Sequence, residues 1–276
     1  MGSDAAIRLI VNADDFGISQ SANRAILRAH REGILTTTSL MVNGDAAAEA
    51  IQLAHAHPRL GVGLHLTFVK GRATLPPSRL DGLTDAQGAF TENPVGAGMR
   101  YFFSRGLHPA IAREVEAQFQ AFRKSELPLD HVNGHLHFHL HPTLFAVLKT
   151  QATAWGIRQM RLTREPLGLN LKISRGNYLY RLSHAFIFEC LARYAAPAFA
   201  ARNIRHTDRV FGLLENDRIT ESYLLQLLER LKSGTYEVYA HPDEDAHAHE
   251  LEALCSPRVG ALVRQRQIQL IRYTDL

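Results

Sequence analysis

Short apolar, β-branched runs alternate along this chain with longer stretches whose apolar residues recur every three to four positions. The first run, residues 7–12 (IRLIVN), reads as a strand, and the loop behind it carries Asp14, Asp15 and Gly17. Residues 21–32 read as a helix with Ala22, Ile26 and Ala29 on one face and Gly33 as its stop. A strand at 37–42 comes next, then an Ala-rich helix that Asp45 can cap and that runs to about His57. The strand 61–67 (GVGLHLT) leads into a long loop over 72–93, rich in Pro, Gly and Asp. Beyond it the pattern predicts a helix at 110–124, a strand at 129–133, a His-rich stretch, a helix at 143–155 and a strand at 157–162. Residues 178–201 read as an apolar, aromatic helix, 219–232 as a helix, 235–240 as a strand, 250–266 as the last helix and 268–272 as a closing strand.

Strand and helix alternate throughout, which favours a parallel sheet with right-handed crossovers. No repeat or domain boundary interrupts the 276 residues. The fold expected is α/β, a single (β/α) barrel of about seven to eight mostly parallel strands, with a doubly wound open sheet as the alternative.

Composition narrows the function classes. Hydrophobic residues make up 46% and charged residues 21%, a globular balance that needs no disulfide or structural metal for a core. Cys190 and Cys255 lie far apart with no zinc-type spacing and read as thiols in a reducing compartment. The net charge of +4 comes from scattered basic residues, so no nucleic-acid partner is expected, while attraction to an anionic membrane surface stays open. The N-terminal residues show neither a secretory leader nor a Ser or Thr at position 6 for myristoylation. No apolar run reaches the roughly 20 residues of a membrane span. The expected location is the cytoplasm, with room for peripheral contact with the inner membrane.

The 15 histidines change the picture, because several fall where acidic residues also cluster. Asp14 and Asp15, His65, His135, Arg161 and His241 each sit at or just past the C-terminal end of a predicted parallel strand, the end where barrels of this class converge on an active site. One or two could stand there by chance; five strands doing so is harder to dismiss. A carboxylate and two imidazoles make a 2-His-1-carboxylate site for one divalent ion (zinc, magnesium, manganese or similar) with coordination positions left open. A second carboxylate beside it can take a proton from water, and a further histidine can give one to a leaving amine. Taken singly, each residue has a plainer role: a turn or cap for the Asp pair, a core histidine for His65, a strand-ending turn for His241-Pro242, a surface position for Arg161. Asp15-Phe16-Gly17 also matches part of a kinase signature, but no Gly-rich loop or strand lysine precedes it. His135, His137, His139 and His141 alternate; on an extended strand they would share one face over about 20 Å and could not all bind one ion. His135 is therefore assigned to the metal, His137 to ligand orientation or substrate, and the others to loop structure. Arg161 is assigned to orienting the catalytic carboxylate, and Phe16 joins His137 as a substrate contact.

At these residues the sequence resembles the YdjC-like carbohydrate deacetylase family. The matching stretches are residues 11–17 (VNADDFG), 36–44 (TTTSLMVNG), 63–66 (GLHL), 135–139 (HLHFH) and 240–242 (AHP), an ordered set spanning nearly the whole chain. The resemblance implies a distorted (β/α) barrel that hydrolyses the N-acetyl group of an amino sugar with one divalent metal. It implies Asp15, His65 and His135 as ligands, Asp14 as base and His241 as acid. Residues 83–103 and 127–142 look like the hopanoid-biosynthesis branch, which implies an N-acetylglucosaminyl hopanoid lipid as substrate. Asn133-Gly134 departs from the Asp-Ser of many relatives outside that branch, which cautions against a soluble chitooligosaccharide.

A lipid-linked substrate also agrees with residues 178–199, where Tyr180, Phe186, Ile187, Phe188, Leu191 and Tyr194 are interspersed with Arg181 and Arg193. The plainer reading is an ordinary buried helix. Residues 99–103 (MRYFF) are a second candidate for the same role. The domain expectation is one unit over 1–276 with an apolar helical insertion near 176–203. The partner expectation is an N-acetylated glycolipid or amino-sugar substrate, with a homodimer as the assembly. Two rival functions are a deacetylase of soluble chitooligosaccharides and a non-catalytic glycolipid-binding protein.

Overall fold

The computed structural model describes residues 6–276; residues 1–5, part of the N-terminal stretch read above as carrying no leader, lie outside the described residues. The strands are β1 (Ile7–Phe16), β2 (Thr37–Leu40), β3 (Gly61–Leu66), β4 (Leu129–Gly134), β5 (Arg209–Phe211), β6 (Gly234–Ala240) and β7 (Gln269–Leu270). Between and after them run α1 (Gln20–Glu32), α2 (Ala47–Ala56), α3 (Pro94–Phe103), α4 (His108–Lys124), α5 (Pro142–Trp155), α6 (Leu167–Ile173), α7 (Tyr178–Ala201), α8 (Glu221–Arg230), α9 (Ala248–Leu254) and α10 (Pro257–Gln265).

The sheet has the order β4-β3-β2-β1-β6-β5, with β7 beside the start of β1, and every ladder between these strands is parallel. The two ends of this sheet approach each other through one segment. Val132 of β4 pairs with Met160, and Gln159 pairs with Arg205, just ahead of β5. The sheet thus curls into a distorted barrel, and the open doubly wound alternative is set aside. The strand expected over 157–162 shrinks to these two bridges. One cause is visible: the Arg161 carbonyl, which would extend the ladder, accepts a hydrogen bond from His139 Nε2 at 2.9 Å.

Helices cover the outside because their apolar stripes match the outward strand residues. In α1, Ser19 caps the first turn by accepting from the Ala22 amide, and Ala22, Ala25, Ile26 and Ala29 face inward. In α8, Tyr223, Leu224, Leu227 and Leu228 are buried, each contributing about 1.5–3 kcal/mol by leaving water. Outward residues such as Val11, Val62, Leu64, Val132 and Val238 pack under these helices. The inward residues of the same strands are mostly polar: Asn12 and Asp14, Thr37 and Ser39, His131 and Asn133, Glu237 and Tyr239, all buried. Gly63 belongs to this inner face, since a Cβ there would stand 2.5 Å from the His131 ring.

Several local expectations change. Asp45 does not cap α2; the cap position is Ala46, whose amide bonds to the Gly17 carbonyl and so fixes the loop without a side chain. The expected last helix breaks into α9 and α10, because Ser256 caps a new start and Pro257 occupies its first turn. The helix α3 starts at the Asn93 cap, which accepts from the Gly96 amide. Neither α3, α6 nor β5 was read from the pattern. Helix α7 follows its expected bounds but is not an ordinary buried helix: Leu179 is 83% and Phe186 72% exposed. Arg181, by contrast, is fully buried and pairs with Glu215 at 2.5 Å. Among the described residues no helix is long and apolar enough to cross a membrane.

Candidate metal centre and active site

Adjacent residues of a regular strand point to opposite faces, so Asp14 and Asp15 cannot both enter one cavity from an undistorted β1. The β1–β2 register shifts between Ala13 and Phe16, and Asp15 takes a left-handed backbone with φ 64°. This bulge turns both carboxylates to the same end of the barrel. A second left-handed pair, Leu136 (φ 48°) and His137 (φ 60°), follows His135. The His-rich stretch is therefore a tight helical turn over His135–Leu140 and not an extended strand, which shortens the spread expected for its imidazoles.

Asp15 meets two rings. His65 Nε2 lies 3.1 Å and His135 Nδ1 2.9 Å from its Oδ1. A donor atom from each of the three residues lies within 4.8 Å of the others. Donors bound at about 2.0–2.2 Å and roughly at right angles stand about 3 Å apart, so these spacings suit one ion. The tautomer of His65 suits it as well. Its Nδ1–H donates to Asn133 Oδ1 at 2.7 Å, which leaves the Nε2 lone pair facing Asp15. That Nε2 is buried and has no hydrogen-bond partner among the described residues. An orphaned acceptor aimed at a carboxylate is the arrangement a cation resolves. Burial by itself would raise the Asp15 pKa, but His135 and His65 outweigh it and hold the carboxyl well below its usual range. Burial lowers the His135 pKa and Asp15 more than reverses this, leaving it raised.

Asp14 is organised differently. Its Oδ1 accepts from Asn12 Nδ2 (2.7 Å), Ser39 Oγ (3.0 Å), Asn133 Nδ2 (3.1 Å) and Arg161 Nη2 (2.9 Å). Among the described residues its Oδ2 accepts only from Arg161 Nη1, at 2.7 Å. Arg161 is itself fully buried, bonds Glu237 Oε1 at 2.7 and 3.0 Å, and lies over the Tyr239 ring at 4.4 Å. Tyr273 closes the chain of contacts by donating to Glu237 Oε2. Burial would push the Asp14 pKa up; the guanidinium overrides it and keeps the carboxylate ionised far below the usual range.

His241 follows β6. Its Nδ1 lies 3.2 Å from Asp217 Oδ1, close enough for an ion pair. Its amide donates to the buried Glu250, which also accepts from Ile219 and so ties together the loops after β5 and β6. Burial would lower the His241 pKa, but Asp217, Asp15 and Asp14 raise it to about 10, so the ring carries its proton at neutral pH.

His137 bonds Tyr239 OH through Nε2 (2.9 Å) and Thr163 through Nδ1 (3.2 Å), with Phe188 of α7 against its ring. It is 7% exposed, and burial followed by the Arg161 charge drives its pKa well below the usual value. Phe16 stands apart from the rest. It is fully buried in the apolar core and offers no side-chain surface to a ligand, because the bulge that turns the carboxylates into the cavity sends the next residue under the helices. His139 and His141 serve the turn, the first through the Arg161 carbonyl and the second as the cap of α5.

The geometry thus brings Asp15, His65 and His135 into direct contact, pairs Asp14 with Arg161, and joins the two groups through Asn133, which bonds both Asp14 and His65. His241 meets the Tyr239 ring at 5.7 Å and is coupled by charge to both carboxylates. It also recruits Asn12, Ser39, Asn133, Asp217 and Glu237, to which sequence reasoning gave no role. Most of these were detectable: Asn12 and Asn133 lie two positions before an expected site residue and Glu237 four, each on the inward face of a strand. Asp217 is in a loop and had no such mark.

The comparisons with known proteins bear on this constellation. The family profile described as YdjC-like protein matches residues 8–265. A carbohydrate deacetylase of Geobacillus stearothermophilus is 30% identical over 282 residues, covering 96% of each chain. One of Mus musculus is 30% identical over 306 residues, covering 98% of this chain and 95% of its own. One of Brevibacillus brevis is 40% identical over 143 residues; that match takes in 51% of this chain and spans only about half, 54%, of the relative. Among solved structures, an Enterococcus faecalis protein described as a cellobiose-phosphate cleavage protein aligns with a TM-score of 0.74 at 23% identity, over 98% of this chain and 99% of its own, a likeness of fold.

Proposed function

The chain belongs to the YdjC-like family, and from that premise we propose that it is a metal-dependent carbohydrate deacetylase that hydrolyses the N-acetyl group of an amino sugar. The observation that carries this reading is the division of labour between neighbouring carboxylates. Asp15 faces two imidazoles, one with an orphaned lone pair, while Asp14 is held by four donor side chains away from those rings. The full-length matches to proteins named carbohydrate deacetylase support the same class.

Asp15, His65 and His135 would hold the ion. When bound, it supplies Lewis acidity, making a water acidic enough to lose its proton near neutral pH and polarising the acetamide carbonyl. Asp14 takes that proton. Its Oδ1 is saturated, so Oδ2 is the accepting atom. Its low basicity means it cannot deprotonate free water, and this ties its action to the filled metal site. As the water oxygen bonds to the carbonyl carbon, negative charge develops on the carbonyl oxygen. His241, protonated through Asp217, then delivers its proton to the sugar nitrogen as the C–N bond breaks, giving acetate and a free amine. Arg161 keeps Asp14 ionised and fixed in orientation; His137, locked by Tyr239 and Thr163, anchors the turn that carries His135.

The finer substrate reading is an acetylglucosaminyl hopanoid, supported by the branch resemblance of residues 83–103 and 127–142 and by the exposed apolar side chains of α3 and α7 near that turn. Acetate release is measured from a soluble N-acetylated oligosaccharide and from the hopanoid-linked sugar, after chelation and after metal is restored. The reading expects release only with metal and faster release from the lipid-linked sugar. No release from either substrate with metal restored contradicts the deacetylase reading, and a preference for the soluble sugar contradicts the finer one.

A further inference from the structure

The helices α3 and α7 border the same catalytic turn from two sides. Phe102 of α3 packs 6.4 Å from the His141 ring at the end of the turn, and Phe188 of α7 packs 5.2 Å from His137 near its start. Both helices also present large apolar side chains to solvent. Val95 is 75%, Phe103 67% and Met99 57% exposed on α3; Leu179, Phe186 and Leu182 are 83%, 72% and 53% exposed on α7. Leu179, Leu182 and Phe186 stand at i, i+3 and i+7, so they form one stripe on the face opposite the buried Arg181, Ala192 and Ala195. Large apolar side chains clustered in the open on a helix face mark an interaction site.

Charge says what covers it. Between Glu92 and Arg113 and between Glu165 and Glu189, the stretches that hold α3, α6 and the apolar half of α7, there is no Asp or Glu; of the five Lys or Arg there, Arg181 is buried on Glu215, and Glu189 at the far edge is paired with Arg164 and Arg193. Arg105, Lys172 and Arg175 are exposed beside the apolar side chains. A symmetric dimer through this face would set the same basic patch against itself. An anionic lipid surface matches both the apolar stripe and the sign of its surround.

We propose that α3 and α7 form a docking surface for an anionic lipid bilayer, seating the mouth of the catalytic site at the membrane. Leu179, Phe186, Met99 and Phe103 enter the headgroup–acyl boundary, and Lys172, Arg175 and Arg105 meet lipid phosphates. This surface stands independently of which acetylated sugar is cleaved.

The test is co-sedimentation of the full chain with large vesicles of phosphatidylcholine alone or mixed with phosphatidylglycerol. Binding to the mixed vesicles is expected, weakened by salt, and much weaker binding to phosphatidylcholine alone. Leu179→Ser/Phe186→Ser and Met99→Ser/Phe103→Ser each weaken it about tenfold or more. Lys172→Ser/Arg175→Ser weakens it roughly 25-fold, about fivefold per charge. All three variants keep the melting temperature and the acetate release from a soluble sugar, which separates lost docking from lost folding. Absence of binding to mixed vesicles, or binding unchanged in the variants, overturns the proposal. So does a dimer, seen by light scattering, that the apolar substitutions convert to monomer while vesicle binding stays the same.

Discussion

Replacing Arg161 with methionine tests how the catalytic carboxylate is held. The side chain is fully buried and answers two carboxylates, Asp14 at 2.7 and 2.9 Å and Glu237 at 2.7 and 3.0 Å. Methionine fills much of the volume but leaves both acids buried without their common cation. Removing one partner of a buried pair costs about 3–5 kcal/mol. At roughly 2–4 °C per kcal/mol for a chain near this size, the melting temperature at pH 7 falls by roughly 6–20 °C. The sign with pH follows from Asp14. Its folded pKa lies far below the ordinary 3.8, so the pair stabilises the fold above that value, and the contribution is lost as pH falls through the folded pKa. The gap between wild type and Arg161→Met is therefore widest at neutral pH and narrows in acid. With the cation gone, burial raises the Asp14 pKa, and the acid limb of the acetate-release profile moves toward neutral. Arg161→Met/Glu237→Gln regains part of the stability, because one orphaned charge is removed. Urea unfolding from pH 3 to 8, beside the rate profile, reads all of this. A loss under about 1 kcal/mol with an unmoved acid limb would refute the idea that the guanidinium holds Asp14 ionised.

Asp217→Asn removes the carboxylate that keeps His241 protonated, so the alkaline limb of activity, expected near the His241 pKa of about 10, drops by roughly 1–3 pH units; an unmoved limb contradicts the pairing. Asn133→Leu deletes the acceptor for His65 Nδ1–H, and metal affinity by titration calorimetry falls about 10–100-fold, whereas unchanged affinity removes Asn133 from the orienting role. Burial raises the Glu165 pKa from 4.5 to about 7, so stability is full below about 4.5 and declines as pH climbs toward 7. Glu165→Gln flattens that decline in thermal melts, and a slope equal to the wild type's contradicts the assignment.

The long, strongly periodic elements were legible in the sequence: α1, α5, α7 and the strands β1, β3, β4 and β6 lie close to their expected positions. The barrel followed from their alternation. What stayed hidden depended on tertiary contacts. The segment 157–162 has strand composition, yet His139 takes the carbonyl its ladder needs. The three-residue β5 is too short to show a period. At the site, residue types at strand ends pointed to the six candidates, but the bulge that puts Asp14 and Asp15 in one cavity requires a left-handed Asp15 that no local pattern announces. The left-handed turn at Leu136 and His137 is equally silent, so the conformation of the His-rich stretch could not be read from its alternation. Phe16 was misjudged for a related reason: proximity in sequence to the acidic pair says nothing about its face once the strand bulges. The inner polar network was in plain view, as polar residues at alternate positions of strands whose other face is apolar. A barrel filled with side chains ordinarily has bulky branched residues there, so the inversion itself marks the cavity.

In the proposed mechanism Asp15 serves a metal and Asp14 a proton. The most direct measurement is metal content per chain by mass spectrometry, paired with turnover, for Asp15→Ala and Asp14→Asn loaded under the same conditions. The account predicts that Asp15→Ala loses both metal and activity, while Asp14→Asn keeps its metal and loses activity about 100-fold or more. Wild-type metal in Asp15→Ala, or wild-type turnover in Asp14→Asn, would contradict it.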